Sequence, residues 1–234
     1  ITKPKTYCGI GTDPKTMIPL AKNFFKRFTG KMDHYYMLND KFSNYKIAKI
    51  KLKKKIKISS KKHFDLKKVK NFNDLNYNKY YKNKYKYLPF KDQQYIKKRY
   101  FNHPIYKYQL FKINKNLNIS KSFLITREVK LKNRKILRIV DFRGEINDLI
   151  YIGNALKKII YKNNYEYLDI ICSNVKPNLL KKSGFNLKKR SDKNIIPNYF
   201  EPFIKKNLDL WYECSEKNMI LFKADADQDR PRLF

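Results

Sequence analysis

Three aspartates near the carboxyl end, Asp225, Asp227 and Asp229, alternate with other residues. In an extended segment this spacing places all three carboxylates on one face. Carboxylates that close together raise one another's pKa or collect a cation. Arg230 stands where an EF-hand requires glycine, and it could instead neutralise the carboxylates in a structural network. A catalytic or substrate-binding set and a structural ion network both remain open, and we predict no metal site.

A second group of candidate residues lies at the end of the apolar run 136–142. Asp141 and Arg143 stand at the carboxyl end of this predicted strand, where α/β folds usually bind ligands. A carboxylate there could act as general base for an attacking amine, or serve as a cap or salt-bridge partner. Asp169 lies inside another apolar run, 167–172, so we expect it to pair with a lysine or to be functional.

Single polar residues in predicted loops supply the remaining candidates. His103, just before Pro104, could act as a base or bind an acceptor sugar, or form a turn hydrogen bond. Glu201 is a substrate-binding candidate in the loop 199–202. His34, beside Tyr35 and Tyr36, is expected to pack in the interior. The sequence contains no Ser-His-Asp arrangement, phosphate-binding P-loop or GxGxxG motif.

The elements that position these residues are predicted most clearly between 135 and 185. A strand over 136–142 is followed by a helix over 148–162, whose apolar residues recur near helical spacing. A strand over 167–172 and a short helix over 177–182 come next, and Ser183-Gly184 ends that helix. Strand, helix, strand is a parallel crossover, which indicates an α/β or α+β core open to ligands at the strands' carboxyl ends.

The rest of the chain is predicted to add mostly strands. A strand over 7–11, a helix over 14–28 and a turn at Thr29-Gly30 resemble the order strand, short helix, glycine stop at 167–185. Residues 64–69 are predicted to be a short helical piece and residues 92–100 a helix. The other predicted strands cover 32–38, 45–52, 108–113, 122–128, 185–190, 208–213 and 219–224.

Composition limits the functional classes. The formal net charge of +35 suits a polyanion partner, but lysine and asparagine are abundant throughout, as a biased codon usage would produce. The densest lysine run lies within 46–70, and we expect nucleic-acid binding to be unlikely as the main function. The 3 cysteines are scattered, which predicts neither a disulfide framework nor a zinc site. No transmembrane segment or signal peptide is predicted, so we expect a cytoplasmic protein.

The order of elements from 108 onward resembles the GNAT acyltransferase superfamily, and Lys182-Ser183-Gly184-Phe185 matches the end of that family's last helix. The segments 199–202 and 223–231 resemble closing motifs of tandem GNAT-like proteins from bacterial surface-polysaccharide gene clusters. This resemblance implies an α+β fold with a mixed sheet flanked by helices, preceded by the end of a second, incomplete module. It divides the chain into a first module (1–58), a linker (59–94) and a GNAT-like domain (95–234).

The resemblance also implies acyl transfer from acetyl-CoA or another acyl-CoA to an amine, such as a nucleotide-sugar substrate. The donor thioester would lie where strands 136–142 and 167–172 separate. The expected roles are catalytic for Asp141, Asp225, Asp227 and His103, cofactor-binding for Arg143, Gly144 and Asn147, and substrate-binding for Glu201, Asp229 and Arg230.

Two other functions follow from the same sequence. The family's glycine-rich phosphate-binding pattern is absent after 142, and the helix over 177–182 has no tyrosine, which favours a GNAT-like module that only binds or scaffolds. The high positive charge favours a nucleic-acid or anionic-surface binder. The acceptor, the acyl group and the oligomeric state do not follow from the sequence.

Overall fold

The computed structural model describes residues 6–75, 77, 88–115 and 122–226. Asp227, Asp229 and Arg230, three of the predicted site residues, lie outside this part of the chain. Within it the protein is an α+β fold built on a large mixed sheet, with short helices on its faces. The predicted fold class is therefore confirmed at this level.

Seven strands form the large sheet in the order β4-β5-β6-β7-β8-β3-β9. The pairs are antiparallel except β7 and β8, which run parallel as the crossover prediction requires. The strands are β3 (Asp33–Leu38), β4 (Asp65–Val69), β5 (Tyr108–Asn114), β6 (Phe123–Leu131), β7 (Arg134–Arg143), β8 (Tyr167–Cys172) and β9 (Asn186–Lys188).

The connection between β7 and β8 carries the main helix. A 3₁₀ helix, Ile146–Ile150, precedes α3 (Gly153–Lys162), so the predicted helix over 148–162 is divided near Tyr151. Leu156 and Ile160 of α3 lie in one buried core with Leu168 and Ile170 of β8. Burial of these aliphatic side chains is the main force that holds the helix on the sheet. The short helix α4 (Pro177–Lys182) agrees with its predicted bounds.

The hairpin of β10 (Tyr199–Phe200) and β11 (Phe203–Ile204) and a three-stranded sheet, ordered β1-β12-β2, are separate from the large sheet. β1 (Cys8–Ile10) and β2 (Phe28–Lys31) are joined by helix α1 (Met17–Asn23), and β12 (Trp211–Cys214) lies antiparallel between them. In the large sheet β3 lies antiparallel between β8 and β9 in the same way. Each of these sheets thus contains a strand, helix, strand unit whose two strands flank one strand from the other half of the chain, and the second, incomplete module stays a prediction.

The strand exchange bears on the predicted division of the chain. Strand Asp33–Leu38 falls in the predicted first module, yet both its neighbours, β8 and β9, belong to the predicted GNAT-like domain. Residues 65–69 of the predicted linker likewise form the edge strand β4. The boundaries at 58 and 94 stay a prediction. Hydrogen bonds join residues on opposite sides of both boundaries.

Four local predictions are wrong. The predicted helix over 14–28 covers only Met17–Asn23, and its predicted turn Thr29-Gly30 lies inside strand β2, paired with β12. Residues 45–52 form no strand and make only an isolated bridge between Lys49 and Ile195. Residues 64–69, predicted as helical, form β4 because Leu66 and Val69 pack inward as the strand pairs with β5. Residues 219–224 form no strand pair with 208–213 and instead end in a 3₁₀ helix, Lys223–Ala226.

The remaining helical segments are short. Helix α2 (Gln93–Ile96) continues into a single π-helical turn, Lys97–Phe101, in agreement with the prediction over 92–100. The side chain of Asp92 caps it by accepting a hydrogen bond from the Tyr95 amide at 2.7 Å. Among the described residues no helix is long and apolar enough to cross a bilayer.

Candidate functional site

The predicted ligand site is the carboxyl end of the parallel pair β7–β8. Their ladder runs only from Leu137, opposite Leu168, to Ile139, opposite Ile170. On the other side of β7 a bulge shifts the register, because Ile125 faces Asp141 while Thr126 faces Ile139. The last four residues of β7 therefore extend beyond the parallel ladder. The predicted position of the donor thioester requires such a separation of the two strands.

The space beyond the ladder is filled by the chain itself. Cys172 at the end of β8 forms an antiparallel bridge with Phe222, and the Ser173 amide donates to the Leu221 carbonyl at 2.9 Å. The Phe222 ring lies 6.3 Å from the Phe142 ring of β7, and both side chains are fully buried. The segment 221–226 thus occupies the position in which a thioester would lie between the two strands.

A buried lysine holds this segment in place. Lys91 Nζ lies 2.5 Å from an oxygen of Asp141 and 2.5 Å from an oxygen of Asp225. The Tyr100 hydroxyl donates to the other oxygen of Asp141 at 2.5 Å. The Phe222 amide donates to Asp225 at 2.7 Å. The structure brings the predicted residues Asp141 and Asp225 together, and each already has protein partners.

The electrostatics of this cluster follow from one cation facing two carboxylates. Burial raises the pKa of Asp225 to about 6, with Lys91 lowering it and Asp141 raising it further. Burial lowers the pKa of Lys91, but the two carboxylates outweigh that effect and the net shift is upward. Burial, followed by the charge of Asp141, raises the pKa of Tyr100 well above its usual value. Lys91 therefore stays charged and Tyr100 stays a hydrogen-bond donor.

The turn after β7, where a donor's phosphates were expected, is also closed. Gly144 has φ of +127°, and a Cβ there would lie 2.3 Å from Ser122 Oγ, so the turn requires glycine. Ser122 Oγ accepts from the Glu145 amide at 2.9 Å and donates to Asp148 at 2.6 Å. Lys115 Nζ lies 2.9 Å from the other oxygen of Asp148. A buried carboxylate thus stands in the turn, and carboxylate and phosphate repel each other.

The other two predicted cofactor residues do not complete a phosphate site. Arg143 is buried beside the Tyr77 hydroxyl, and its guanidinium lies 5.6 Å from the Phe90 ring centroid. Asn147 is exposed in the 3₁₀ helix. The first residue of α3, Gly153, packs so closely on α4 that a Cβ would lie 2.2 Å from the Ser183 carbonyl oxygen. The amino end of α3 is therefore covered by protein.

His103 and Glu201 lie away from the buried cluster. His103 Nδ1 accepts from the Tyr106 amide at 3.0 Å, the turn hydrogen bond that was one of its two predicted roles. Glu201 is exposed and lies 3.9 Å from Arg127, whose guanidinium stacks 4.2 Å from the Tyr106 ring centroid. The structure places both residues in one surface group around Tyr106.

A second buried cluster lies where β7 and β8 are still paired. Asp169 accepts two hydrogen bonds from Arg138, at 2.9 and 2.6 Å, and lies 2.8 Å from His34 Nε2. The expected lysine partner is wrong, since an arginine on the neighbouring strand takes that place. Burial raises the pKa of Asp169, but Arg138 and His34 outweigh it and hold that pKa well below its usual range. Burial lowers the pKa of His34 to about 4.

Sequence reasoning missed Lys91, Tyr100 and Phe222. Lys91 is one of 55 lysines and arginines, and nothing in its local sequence distinguishes it. Tyr100 is one of 19 tyrosines. The only available signal was that Asp141 and Asp225, both predicted near buried strands, each needed a cation.

No protein-family model and no curated protein gives a significant match to the chain. Similar solved structures include a GCN5-related N-acetyltransferase from Anabaena variabilis, with 12% identity and a TM-score of 0.45 over 88% of this chain and 45% of that one. Another is a functionally unknown conserved protein from Staphylococcus epidermidis, with 11% identity and a TM-score of 0.46 over 90% of this chain and 71% of that one. The chain spans less than half the length of the Anabaena protein.

Proposed function

We propose that this chain is a non-catalytic GNAT-like module, which serves as a binding or scaffold module for other molecules and does not hold acyl-CoA between β7 and β8. One observation carries the proposal: Phe222 bridges Cys172 and packs on Phe142, so segment 221–226 fills the space beyond the parallel ladder. The residues expected to hold the cofactor do not fit it, because Arg143 is buried among protein rings and Asp148 occupies the turn.

The second candidate is the acyltransferase that the sequence resemblance implies. It would move an acyl group to an amine, such as an amino sugar on a nucleotide-sugar precursor of a surface polysaccharide. The early end of the β7–β8 ladder and the bulge beside Val140 favour it, since both free backbone groups at the required place. This function would require segment 221–226 to leave the gap and break the Lys91–Asp225 ion pair.

Calorimetric titration of acetyl-CoA into the full chain separates the two candidates. We expect no saturable heat at physiological salt and no thiol release with amino-sugar nucleotides. Saturable binding with thiol release would overturn the proposal in favour of the acyltransferase.

A matched pair of variants distinguishes binding of acetyl-CoA in the slot from general attraction of a polyanion to a chain of net charge +35. Arg143→Lys changes the carboxyl end of β7, and Arg134→Lys changes its amino end, while both keep the charge. Binding in the slot would weaken only with Arg143→Lys. Equal effects of the two variants would indicate non-specific attraction and leave the proposal standing.

A further inference from the structure

The exposed large hydrophobic side chains of the described residues are concentrated in one place. Six of the nine lie between residues 7 and 28, on helix α1 and the segments beside it. They are Tyr7, Met17, Leu20, Phe24, Phe25 and Phe28. We call this set the α1 patch. Isolated exposed apolar residues need no explanation, but a concentration of them in one segment usually marks an interaction surface.

The helix itself separates a buried stripe from an exposed one. Ile18 and Ala21 pack inward, while Met17 and Leu20 are 43% and 42% exposed. Phe24, 74% exposed, follows the helix and makes an edge-to-face contact with Phe25 at 5.1 Å between centroids. The two rings therefore form a protruding pair at the end of an amphipathic segment.

Cations lie along the same segment as the patch. Lys15, Lys22 and Lys26 are exposed on the same segment. The Arg27 guanidinium lies 4.0 Å from the Tyr7 ring centroid and pairs with Glu213 at 3.0 Å, so it is already engaged. The chain as a whole carries +35. Like charge opposes a second copy of this chain as the occupant of the patch.

We propose that the α1 patch docks on an anionic lipid bilayer. Phe24 and Phe25 enter the interface, and the three lysines contact anionic headgroups. Exposed aromatic and aliphatic side chains flanked by lysines are the features of a helix that lies in the membrane surface. A bilayer accepts protruding rings without a complementary pocket. The inference goes beyond the proposed function and does not depend on whether acyl-CoA binds.

Sedimentation with vesicles tests the proposal on the full chain. We expect binding to vesicles of equal parts phosphatidylcholine and phosphatidylglycerol, and none to phosphatidylcholine alone. The double variant Phe24→Ser, Phe25→Ser is expected to lower the partition coefficient about tenfold, because two rings no longer leave water. Ile105→Ser, which removes an exposed apolar side chain elsewhere, is expected to change nothing.

A charge-matched pair shows whether the patch or the overall charge is responsible. Lys15, Lys22 and Lys26 changed together to glutamate should reduce binding by about fivefold or more for each lysine. The same change at Lys53, Lys54 and Lys55, an exposed run outside the patch, should have a much smaller effect.

Two results would overturn the proposal. Equal losses from the two triple variants, with no effect of the phenylalanine changes, would indicate general charge attraction. Absence of vesicle binding by a folded wild-type chain would also reject it, and a polypeptide would then be the remaining kind of partner for the patch.

Discussion

The two buried carboxylate clusters, around Asp169 of β8 and Asp141 of β7, differ in where their partners come from. Asp169 is held by Arg138, directly opposite it in the β7–β8 ladder, and by His34 on the adjacent strand β3. Asp141 is held by Lys91 and Tyr100, which lie outside the sheet, and it shares Lys91 with Asp225 of the carboxyl-terminal segment. The first cluster belongs to the sheet, whereas the second fastens other segments onto it.

The charge balance differs as well. One guanidinium faces one carboxylate beside a neutral histidine in the first cluster, while one ammonium faces two carboxylates in the second. Burial, together with the charge of Asp141, raises the pKa of Asp225 to about 6, because an excess buried carboxylate is costly and favours the protonated form. The closure of the gap between β7 and β8 therefore depends on a cluster whose buried charge is less well compensated than that of its neighbour.

The largest effect is expected from Arg138→Met. It leaves Asp169 buried beside a neutral histidine and removes the donors to the carbonyls of Pro197 and Asn198. We expect a loss of ~3–5 kcal/mol in the free energy of unfolding, measured by urea denaturation. A loss below about 1 kcal/mol would show that pairing of Arg138 with Asp169 inside the β7–β8 ladder does not set this cluster apart from the cluster around Lys91.

Lys91→Met is expected to cost somewhat less, about 3 kcal/mol, because Asp225 can take up a proton at modest cost. Adding Asp225→Asn should recover about half of that loss, since only one carboxylate then lacks a cation. The same denaturation experiment measures both variants. A double variant as unstable as Lys91→Met alone would contradict the shared-cation account.

The sequence alone predicts more of the cluster around Asp169 than of the cluster around Asp141. The runs 136–142 and 167–172 predict β7 and β8, and the buried position of Asp169 predicts that it needs a partner. Because side chains alternate between the two faces of a strand, Arg138 could then have been suggested as that partner. The partners of Asp141 could not be predicted, because docking of Lys91 and Asp225 depends on tertiary packing between segments 50 and 84 residues away.

The same limit explains the errors in secondary structure. The i, i+3 spacing of Leu66 and Val69 fits a helix, but in β4 the two side chains point to opposite faces and pack into different cores, and pairing with β5 fixes the strand. Residues 219–222 have a strand-like composition, but Phe222 pairs with Cys172 at the end of β8 and not with a strand at 208–213. In both places long-range pairing overrides local preference.

The two clusters should respond oppositely to pH. The pKa of His34 is lowered from 6.5 to about 4, so the unfolded chain binds the extra proton and stability rises with pH through that window. The pKa of Asp225 is raised from 3.8 to about 6, so the folded chain binds the extra proton and stability falls as pH rises. Each effect is on the order of 3 kcal/mol, and they largely cancel.

Variants separate the two effects. His34→Gln should leave a chain whose stability falls between pH 4 and 6, and Asp225→Asn should leave one whose stability rises over the same range. Thermal unfolding followed at several pH values measures both slopes. Identical slopes in the two variants would contradict the assignment of the protons.

The smallest effect is expected at the surface. Glu201, with a side chain 52% exposed, faces Arg127 at 3.9 Å. An exposed pair of this kind contributes little, so Glu201→Gln should change the free energy of unfolding by ~0.5 kcal/mol or less. A loss above about 1 kcal/mol would place Glu201 among residues that hold the fold.

A crystal structure of the full chain grown with acetyl-CoA tests the central claim most directly. The account predicts that the Phe222 ring stays against Phe142 and that Lys91 still bridges Asp141 and Asp225, with no pantetheine between β7 and β8. A pantetheine arm lying between those strands, with segment 221–226 displaced, would contradict it.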